Sequence, residues 1–209
     1  MTRVLIVATN DDSQTCMTFF WAKELQRCLA EVGHETVFLG GYDVTFTGLT
    51  NAIASSYPRI EYVVFYGHGD HDRLYGQRTD ATAEQAPILV DDLHADVFRG
   101  ANVYAVACYA LDILGQAHQR DNPTARFIGY NDLFAKSEYD FDLFRLCVHH
   151  GAVLFVAGMD GHATSSILKK CWEGLRDEYL TPPPGGRFTL DKVWAAFAAD
   201  INAEGVGYK

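Results

Sequence analysis

Short runs of strand-forming residues alternate with helical segments through the first part of the chain. Residues 3–8, 35–39 and 62–66 are mainly apolar and rich in Val, Ile, Phe and Tyr, which is typical of buried strands. Residues 15–32 place apolar side chains at helical spacing, and residues 47–56 form a second, shorter helical segment. Such alternation builds a parallel sheet with helices on its faces. The sequence therefore predicts an α/β fold, a three-layer α/β/α sandwich with a mainly parallel sheet.

Later segments extend this pattern. Further strands are predicted at residues 103–107 and 125–130, with a small β-element at 88–92. Helices are predicted at residues 93–99, 109–118, 164–179 and 190–201, and loops at 71–86 and 182–186. The last helix is expected to bury Val193, Ala196, Phe197 and Ile201. No repeat or linker interrupts the pattern, so residues 1–209 are predicted to form a single domain.

Residues 141–157 fit two kinds of structure. Phe144 and Phe155 belong to a helical apolar pattern, whereas residues 152–157 alone would suit a buried strand. The helix is favoured because the apolar spacing continues across Gly151.

Charge and cysteine content exclude several classes of protein. The formal net charge is −10 at pH 7, so nucleic acids and anionic membranes would repel the chain. The five cysteines are scattered without CxxC spacing, which argues against a disulfide framework or a cysteine-rich zinc site. No stretch reaches the roughly 18 apolar residues of a membrane span, and the apolar start is too short for a signal peptide. The sequence thus predicts a cytoplasmic protein without nucleic-acid or membrane partners.

Two reactive side chains follow two of the predicted strands. The run at 62–66 leads into His68 and Gly69, and the run at 103–107 ends directly before Cys108. In open parallel sheets, catalytic groups gather at the carboxyl ends of the strands. If the two strands are adjacent, their separation of roughly 5 Å brings His68 and Cys108 within side-chain reach.

A histidine and a cysteine at this edge could perform nucleophilic catalysis. His68 could take the proton of Cys108 and later donate it to a leaving amine. The backbone amides of Gly69 and Cys108 could bind the developing oxyanion. The alternative is that Cys108 is a small core residue and His68 a hydrogen-bonded structural group. Their joint occurrence after two strands favours the catalytic interpretation.

The two motifs read Val63-Val64-Phe65-Tyr66-Gly67-His68-Gly69 and Val103-Tyr104-Ala105-Val106-Ala107-Cys108. Apolar residues precede His-Gly in the first motif, and they precede a small residue and Cys in the second. This pair resembles the signatures of caspase-like cysteine peptidases (clan CD), which include caspases, metacaspases, clostripain, gingipains and bacterial CHAT-domain proteases. The resemblance implies a caspase–haemoglobinase fold and an endopeptidase acting on protein substrates without a cofactor. It implies that His68 is the base and Cys108 the nucleophile.

The resemblance also directs attention to three aspartates. In this clan, the loop after the first strand and the region after the cysteine shape the pocket for the residue before the cleaved bond. Asp11 and Asp12 occupy the first place, and Asp132 is a further candidate. A carboxylate there would bind Arg or Lys, so cleavage after a basic residue is expected, above all after Arg. The alternative is that Asp11 and Asp12 cap the helix that starts near Ser13.

The chain also departs from some members of the clan. Metacaspases and clostripain-like enzymes commonly carry Asp two residues before the cysteine, where this chain has Val106. No carboxylate is evident for orienting His68, and the clan often uses a backbone carbonyl for that purpose. Bacterial relatives often act in defence or signalling as stand-alone proteases, so an activating or regulatory protein partner is expected.

Two other functions fit parts of the sequence. The stretch from Gly67 to Asp72 is dense in potential metal ligands, so a metal-dependent hydrolase could use His68, Asp70 and His71. A catalytically silent regulatory module would keep the caspase-like fold without turnover. The intact His68 and Cys108 favour the cysteine endopeptidase, without a metal, over both alternatives.

Overall fold

A mainly parallel β-sheet forms the centre of the molecule. The computed structural model describes residues 2–78, 86–137, 139–182 and 189–209. Its strands are β1 (Arg3–Ala8), β2 (Glu35–Gly40), β3 (Tyr62–Tyr66), β4 (Gly69–Asp70), β5 (Arg73–Tyr75), β6 (Ile88–Asp91), β7 (Asn102–Val106), β8 (Phe127–Tyr130) and β9 (Val206–Tyr208). Its helices are α1 (Ser13–Glu31), α2 (Phe46–Ala54), α3 (Ile113–Asp121), α4 (Phe141–Val156), α5 (Gly161–Leu180) and α6 (Leu190–Gly205). None of these described helices combines the length and the apolar character that crossing a membrane requires.

The order of strands in the main sheet is β2–β1–β3–β7–β8–β9. The first five strands in this order run parallel, and β9 pairs antiparallel with β8 at the edge. Strands β4, β5 and β6 form a small antiparallel sheet beyond the end of β3. The predicted α/β architecture with a mainly parallel sheet is therefore confirmed.

Helices cover the sheet on its two faces. Every residue of β3 is buried, as expected for a strand with helices above and below it. On one face, α1, α4, α5 and α6 pack around fully buried aromatic residues such as Trp21, Phe155 and Trp172. On the other face, α2 and α3 pack around Leu5 and Phe65. Burial of one such Phe or Leu side chain stabilises the fold by about 1.5–3 kcal/mol.

The segment with an ambiguous sequence pattern is helical. It forms α4, which confirms the favoured interpretation of residues 141–157. Gly151 lets this helix lie close to the sheet, because a Cβ atom at this position would come within 2.7 Å of Tyr104 Oη. The Tyr104 hydroxyl also donates a hydrogen bond of 3.1 Å to the Val148 carbonyl of the same helix. The glycine is therefore a requirement of packing and does not end the helix.

The helix predicted at residues 109–118 is wrong at its start. Helix α3 begins only at Ile113, and Tyr109 adopts a left-handed conformation with φ of 54°. The Tyr109 N–H donates to the carbonyl of Asp132, just after β8, at 2.9 Å. This hydrogen bond holds Tyr109 against the segment after β8 and outside the helix. Cys108 is followed by a tight turn as a result.

The loop predicted at residues 71–86 is wrong over β5, which pairs with β4 and β6. Strands of two to four residues are too short to show a period in the sequence. Residues 79–85 of this predicted loop lie outside the described residues. The loop predicted at 182–186 also lies outside them from residue 183 onward.

The buried face predicted for the last helix is wrong at Val193 and Phe197, whereas Ala196 is buried as predicted. Val193 and Phe197 are 45% and 55% exposed, whereas Ala195, Ala199 and Ala203 are buried in the core. Small side chains allow helix axes to approach closely, so alanine forms the packing face of α6. The sequence pattern also favoured the larger side chains of Val193 and Phe197, which are exposed to solvent.

We expect Gly151→Ala to lower the free energy of unfolding by about 1–3 kcal/mol, because the added methyl group overpacks the core. Its Cβ would meet Tyr104 Oη and Leu168 Cδ2, the latter at 3.1 Å. Gly174→Ala in α5 is the matched control, since nothing lies within 4 Å of its added Cβ. That variant should gain about 0.5–1 kcal/mol from helix propensity. Urea unfolding measures both values, and changes of the same sign would contradict the packing role of Gly151.

Candidate active site

The pairing of β3 with β7 brings the two reactive side chains to one edge of the sheet. Tyr66 lies opposite Val106 in parallel register, and the Gly67 N–H donates to the Val106 carbonyl at 3.4 Å. His68 and Cys108 each follow two residues further along the chain. The adjacency of the two strands, which the sequence left as a condition, is confirmed.

His68 and Cys108 line one cleft of about 190 Å³. Its remaining walls come from α1 and its start, from the ends of β3 and β7, and from the segment after β8. The wall residues are Gln14, Thr15, Thr18, Gly67, Val106, Ala107, Phe134 and Lys136. The Lys136 ammonium donates to the carbonyl of Gln14, which ties the segment after β8 to α1. The cleft thus joins three strand ends and one helix start around the predicted dyad.

Gly69 packs directly on the backbone of the predicted nucleophile. A Cβ atom at this position would lie 2.6 Å from the Cys108 carbonyl oxygen and 2.9 Å from Ala107 Cβ. The Tyr75 N–H donates to the His68 carbonyl at 3.1 Å, so Gly69 and Leu74 form a non-hydrogen-bonded antiparallel pair. The Gly69 N–H therefore points away from β5, which leaves it available for another acceptor.

The thiol of Cys108 is half-buried, and a backbone amide points toward it. The Phe134 N–H lies 3.4 Å from Cys108 Sγ. Burial raises the pKa of Cys108 above its ordinary value, the Phe134 amide lowers it in part, and the charges of Asp132 and Asp70 raise it further. In the resting protein at neutral pH, Cys108 is therefore a thiol. A base must remove its proton during nucleophilic attack.

A carboxylate is paired with His68. The Oδ2 atom of Asp12 lies 2.6 Å from His68 Nε2, so the expectation that no carboxylate orients this histidine is wrong. The two residues are 56 positions apart in the chain, and no sequence spacing connects them. They meet because β1, which leads to Asp12, lies beside β3, which leads to His68. The described part of the chain provides no hydrogen-bond partner for His68 Nδ1.

The two aspartates predicted to bind substrate are engaged at the start of α1. Asp12 is the N-cap residue: its Oδ1 accepts from the Thr15 N–H at 2.7 Å, and the Thr15 hydroxyl oxygen accepts from the Asp12 N–H at 3.1 Å. Asp11 accepts from the Thr15 hydroxyl at 3.0 Å and lies 3.9 Å from Arg78 Nε, with its side chain 2% exposed. These contacts are those of the helix-capping alternative. Neither carboxylate lines the cleft that contains Cys108.

Asp132 has a different environment from the other two aspartates. It is exposed to solvent, its carbonyl accepts from the Tyr109 N–H at 2.9 Å, and its Oδ1 accepts from the Leu133 N–H at 2.7 Å. Burial is the largest cause that raises the pKa of Cys108, and the negative charge of Asp132 raises it further. Asp132 is therefore an accessible carboxylate close to the predicted nucleophile.

His71 supports the turn that follows Cys108. Its Nδ1 lies 2.8 Å from Asp112 Oδ2, and its ring stacks on Tyr109 with 4.4 Å between ring centroids. The left-handed Tyr109 and its stacking partner have no signature in the sequence, since tyrosine rarely adopts a positive φ. His71 is thus held beside the turn and is not directed toward a shared site with His68.

The alternative metal set of His68, Asp70 and His71 is not brought together. Among the described residues, potential ligand atoms come within 4.8 Å of one another in the group Asp11, Asp12 and His68. The Arg78 guanidinium lies 3.9 Å from Asp11, and its positive charge would repel a divalent ion at this place. The ligand atoms that come together are therefore not those of the set suggested by the sequence.

Similar folds occur among cysteine proteases. The complex of Porphyromonas gingivalis RgpB pro- and mature domains matches with a TM-score of 0.58 and 10% identity, over 93% of this chain and 45% of that chain. The Arg-specific cysteine proteinase gingipain R matches with a TM-score of 0.57 and 12% identity, over 93% and 44% of the two chains. A secreted C11 cysteine protease from Bacteroides thetaiotaomicron, bound to an irreversible peptide inhibitor, has a TM-score of 0.48 and 15% identity, over 98% and 83%.

The gingipain matches show that this chain has the fold of the caspase-like cysteine peptidases of clan CD. The resemblance drawn from the His68 and Cys108 motifs is confirmed at the level of the fold. The chain spans less than half the length of the two gingipain chains. No protein-family model and no curated protein matches the sequence.

We expect the rate at which iodoacetamide alkylates Cys108 to rise with pH and to reach half its maximum above about pH 8.5, the pKa of an ordinary thiol. The thiolate is the reactive form, and burial raises the pKa of Cys108, so the rate must rise at higher pH than for a free cysteine. Mass spectrometry of the Cys108 peptide, from about pH 6 to 11, measures this midpoint. A midpoint below about pH 7.5 would show that the resting site stabilises a thiolate.

Proposed function

We propose that this protein is a cysteine peptidase that hydrolyses peptide bonds in protein substrates, with His68 as base and Cys108 as nucleophile. One observation carries the proposal: the parallel register of β3 and β7 delivers both side chains to a single cleft. The caspase-like fold supports it, since gingipain R, which shares this fold, is a cysteine proteinase.

The chemistry follows from the two groups. His68 takes the proton of the Cys108 thiol as the sulfur attacks the carbonyl carbon of the scissile bond. The resulting tetrahedral oxyanion expels the amine, which leaves with the proton that His68 carries, and a thioester remains on Cys108. A water molecule then attacks the thioester, again with His68 as base, and the acid product and free thiol are released.

The oxyanion would be bound by backbone amides. We assign this role to the N–H groups of Gly69 and Cys108, because Gly69 packs against the Cys108 carbonyl and its N–H faces away from β5. Amides fixed in this manner stabilise negative charge as it develops, at no cost in reorganisation.

For the residue before the cleaved bond, we propose a basic preference that depends on Asp132. Asp11 and Asp12 have partners within the protein, whereas Asp132 is exposed close to Cys108. A carboxylate there would attract Arg or Lys. The specificity for Arg stated for gingipain R, which shares this fold, is consistent with such a preference.

The setting of the activity is also a proposal. Free thiols persist in a reducing compartment such as the cytoplasm, and all five cysteines of this chain are free. A regulatory protein partner would suit a defence or signalling protease that must stay silent until needed.

Cleavage of a fluorogenic peptide panel tests the activity. Wild type should cleave, whereas Cys108→Ala should lose at least about 10³-fold in kcat/KM because the nucleophile is absent. Cys171→Ala is the matched control, since this free cysteine lies on α5 and does not line the cleft. Iodoacetamide should abolish turnover and a chelator should not. Retained activity in Cys108→Ala, or inhibition by the chelator alone, would exclude the cysteine mechanism.

The role of Asp132 has its own test. Peptides that differ only in Arg or Leu before the cleaved bond should be cleaved at different rates, with Arg preferred. Asp132→Asn should reduce this preference about 10-fold, the effect of one hydrogen bond to a charged group. Asp142→Asn, which alters an exposed carboxylate on α4, is the control. Equal cleavage rates for the Arg and Leu peptides in the wild-type protein would contradict the proposed basic preference.

A further inference from the structure

The carboxylate of Asp12 both caps helix α1 and contacts His68, the predicted catalytic base. We infer that Asp12 is a positioning residue that fixes the proton of neutral His68 on Nε2 and leaves Nδ1 as the basic nitrogen. This role rests on the proposed peptidase function for its use, but the tautomer itself is a property of the folded protein.

The two oxygens of Asp12 have different partners. Oδ1 accepts from the Thr15 N–H at 2.7 Å, which caps α1, and Oδ2 lies 2.6 Å from His68 Nε2. The Thr15 hydroxyl oxygen accepts from the Asp12 N–H at 3.1 Å, so the cap is closed from both sides. Because the cap fixes Oδ1, the carboxylate cannot rotate freely and Oδ2 is held in place as well. The start of α1 therefore fixes the position of the imidazole through Oδ2.

The charge of Asp12 decides which nitrogen of His68 carries the hydrogen. Burial raises the pKa of Asp12, but the Thr15 amide and His68 outweigh it, so the net pKa lies below the ordinary value of 3.8. At neutral pH the carboxylate is ionised and can only accept hydrogen bonds. The contact at 2.6 Å therefore requires an N–H on Nε2. In a neutral imidazole, the lone pair then resides on Nδ1.

This assignment gives His68 the form that the proposed reaction needs. A base must present an unprotonated nitrogen to the thiol, and Nδ1 has no partner among the described residues. Once Nδ1 has accepted a proton, the imidazolium is stabilised by the Asp12 carboxylate on its other side. Asp12 thus acts through His68 and does not contact the reacting atoms.

Two other carboxylates provide matched controls. Asp11 is adjacent in sequence but contacts the Thr15 hydroxyl and Arg78, not His68. Asp160 is the N-cap of α5, where its side chain accepts from the Ala163 N–H at 2.9 Å. An Asp→Asn change at either position removes a charge or alters a helix cap without touching the His68 ring.

The decisive variant is Asp12→Asn, because asparagine is as good an N-cap as aspartate. Its carbonyl oxygen can keep the bond from the Thr15 N–H, while its amide nitrogen now donates to His68 Nε2. The hydrogen of neutral His68 must then move to Nδ1. Long-range ¹H–¹⁵N correlation spectra report the tautomer directly, at a pH where His68 is neutral. We expect the Nε2–H form in wild type, Asp11→Asn and Asp160→Asn, and the Nδ1–H form in Asp12→Asn.

Peptide cleavage provides the second readout. Asp12→Asn should lose about 10²–10⁴-fold in kcat with little change in KM, because the base is presented in the wrong tautomer. Asp160→Asn should retain the wild-type rate. If Asp12→Asn does not fold, Asp12→Ser replaces it, since serine caps helices equally well and is too short to reach His68. That variant should lose the fixed tautomer and show a mixture of both forms.

The outcomes separate this inference from the proposed function. An Nδ1–H tautomer in the wild-type protein, or an unchanged tautomer in Asp12→Asn, overturns the role of Asp12 whether or not peptides are cleaved. A tautomer switch together with the loss of kcat supports it. If Asp12→Asn switches the tautomer but the wild-type protein cleaves no peptide, the assignment of Asp12 is supported and the peptidase proposal is contradicted.

Discussion

The parallel hydrogen-bonded pairing of β3 with β7 is the interaction on which the candidate site depends. Its register sets Tyr66 opposite Val106, and the chain then needs only two more residues on each strand to reach the histidine and the cysteine. A slip of one residue would turn the side chains to the opposite face of the sheet. The register is secured by burial, since both strands carry apolar side chains into cores on the two faces. The placement of His68 and Cys108 is therefore a consequence of core packing.

A second constraint connects helix α1 to the site. The macrodipole of a helix favours negative charge at its N-terminus, and Asp12 supplies that charge while it holds His68. An N-cap contributes about 0.5–2 kcal/mol to stability, which is enough to keep the carboxylate in place without a separate support. Strand β1 sits between β2 and β3, so the loop that carries Asp12 opens at the same edge as His68. One local structural feature thus stabilises the helix and orients the ring.

The sequence predicted those parts of the protein that depend on local patterns. Buried strands leave continuous apolar runs, so the sheet and the positions of His68 and Cys108 at strand ends could be inferred. The contact between Asp12 and His68 could not, because it depends on which strands become neighbours. The left-handed Tyr109 and the approach of the Phe134 amide to Cys108 are likewise set by tertiary structure. For α6 the hydrophobic pattern pointed partly to the wrong face, because alanine is less hydrophobic than phenylalanine. The closely packed alanines are buried, whereas Phe197 is exposed.

The environment of Cys108 sets a condition on how the site can work. Burial and the charges of Asp132 and Asp70 disfavour the thiolate, and each unit by which a pKa is raised costs about 1.4 kcal/mol when the proton is removed. A thiol kept in its neutral form reacts slowly with oxidants and electrophiles, since these require the thiolate. Attack on a carbonyl carbon then depends on a base that accepts the proton in the same step. In the proposed mechanism, a His68 imidazole that donates from Nε2 to Asp12 would meet that requirement, because Nδ1 would then be its basic nitrogen before any substrate binds.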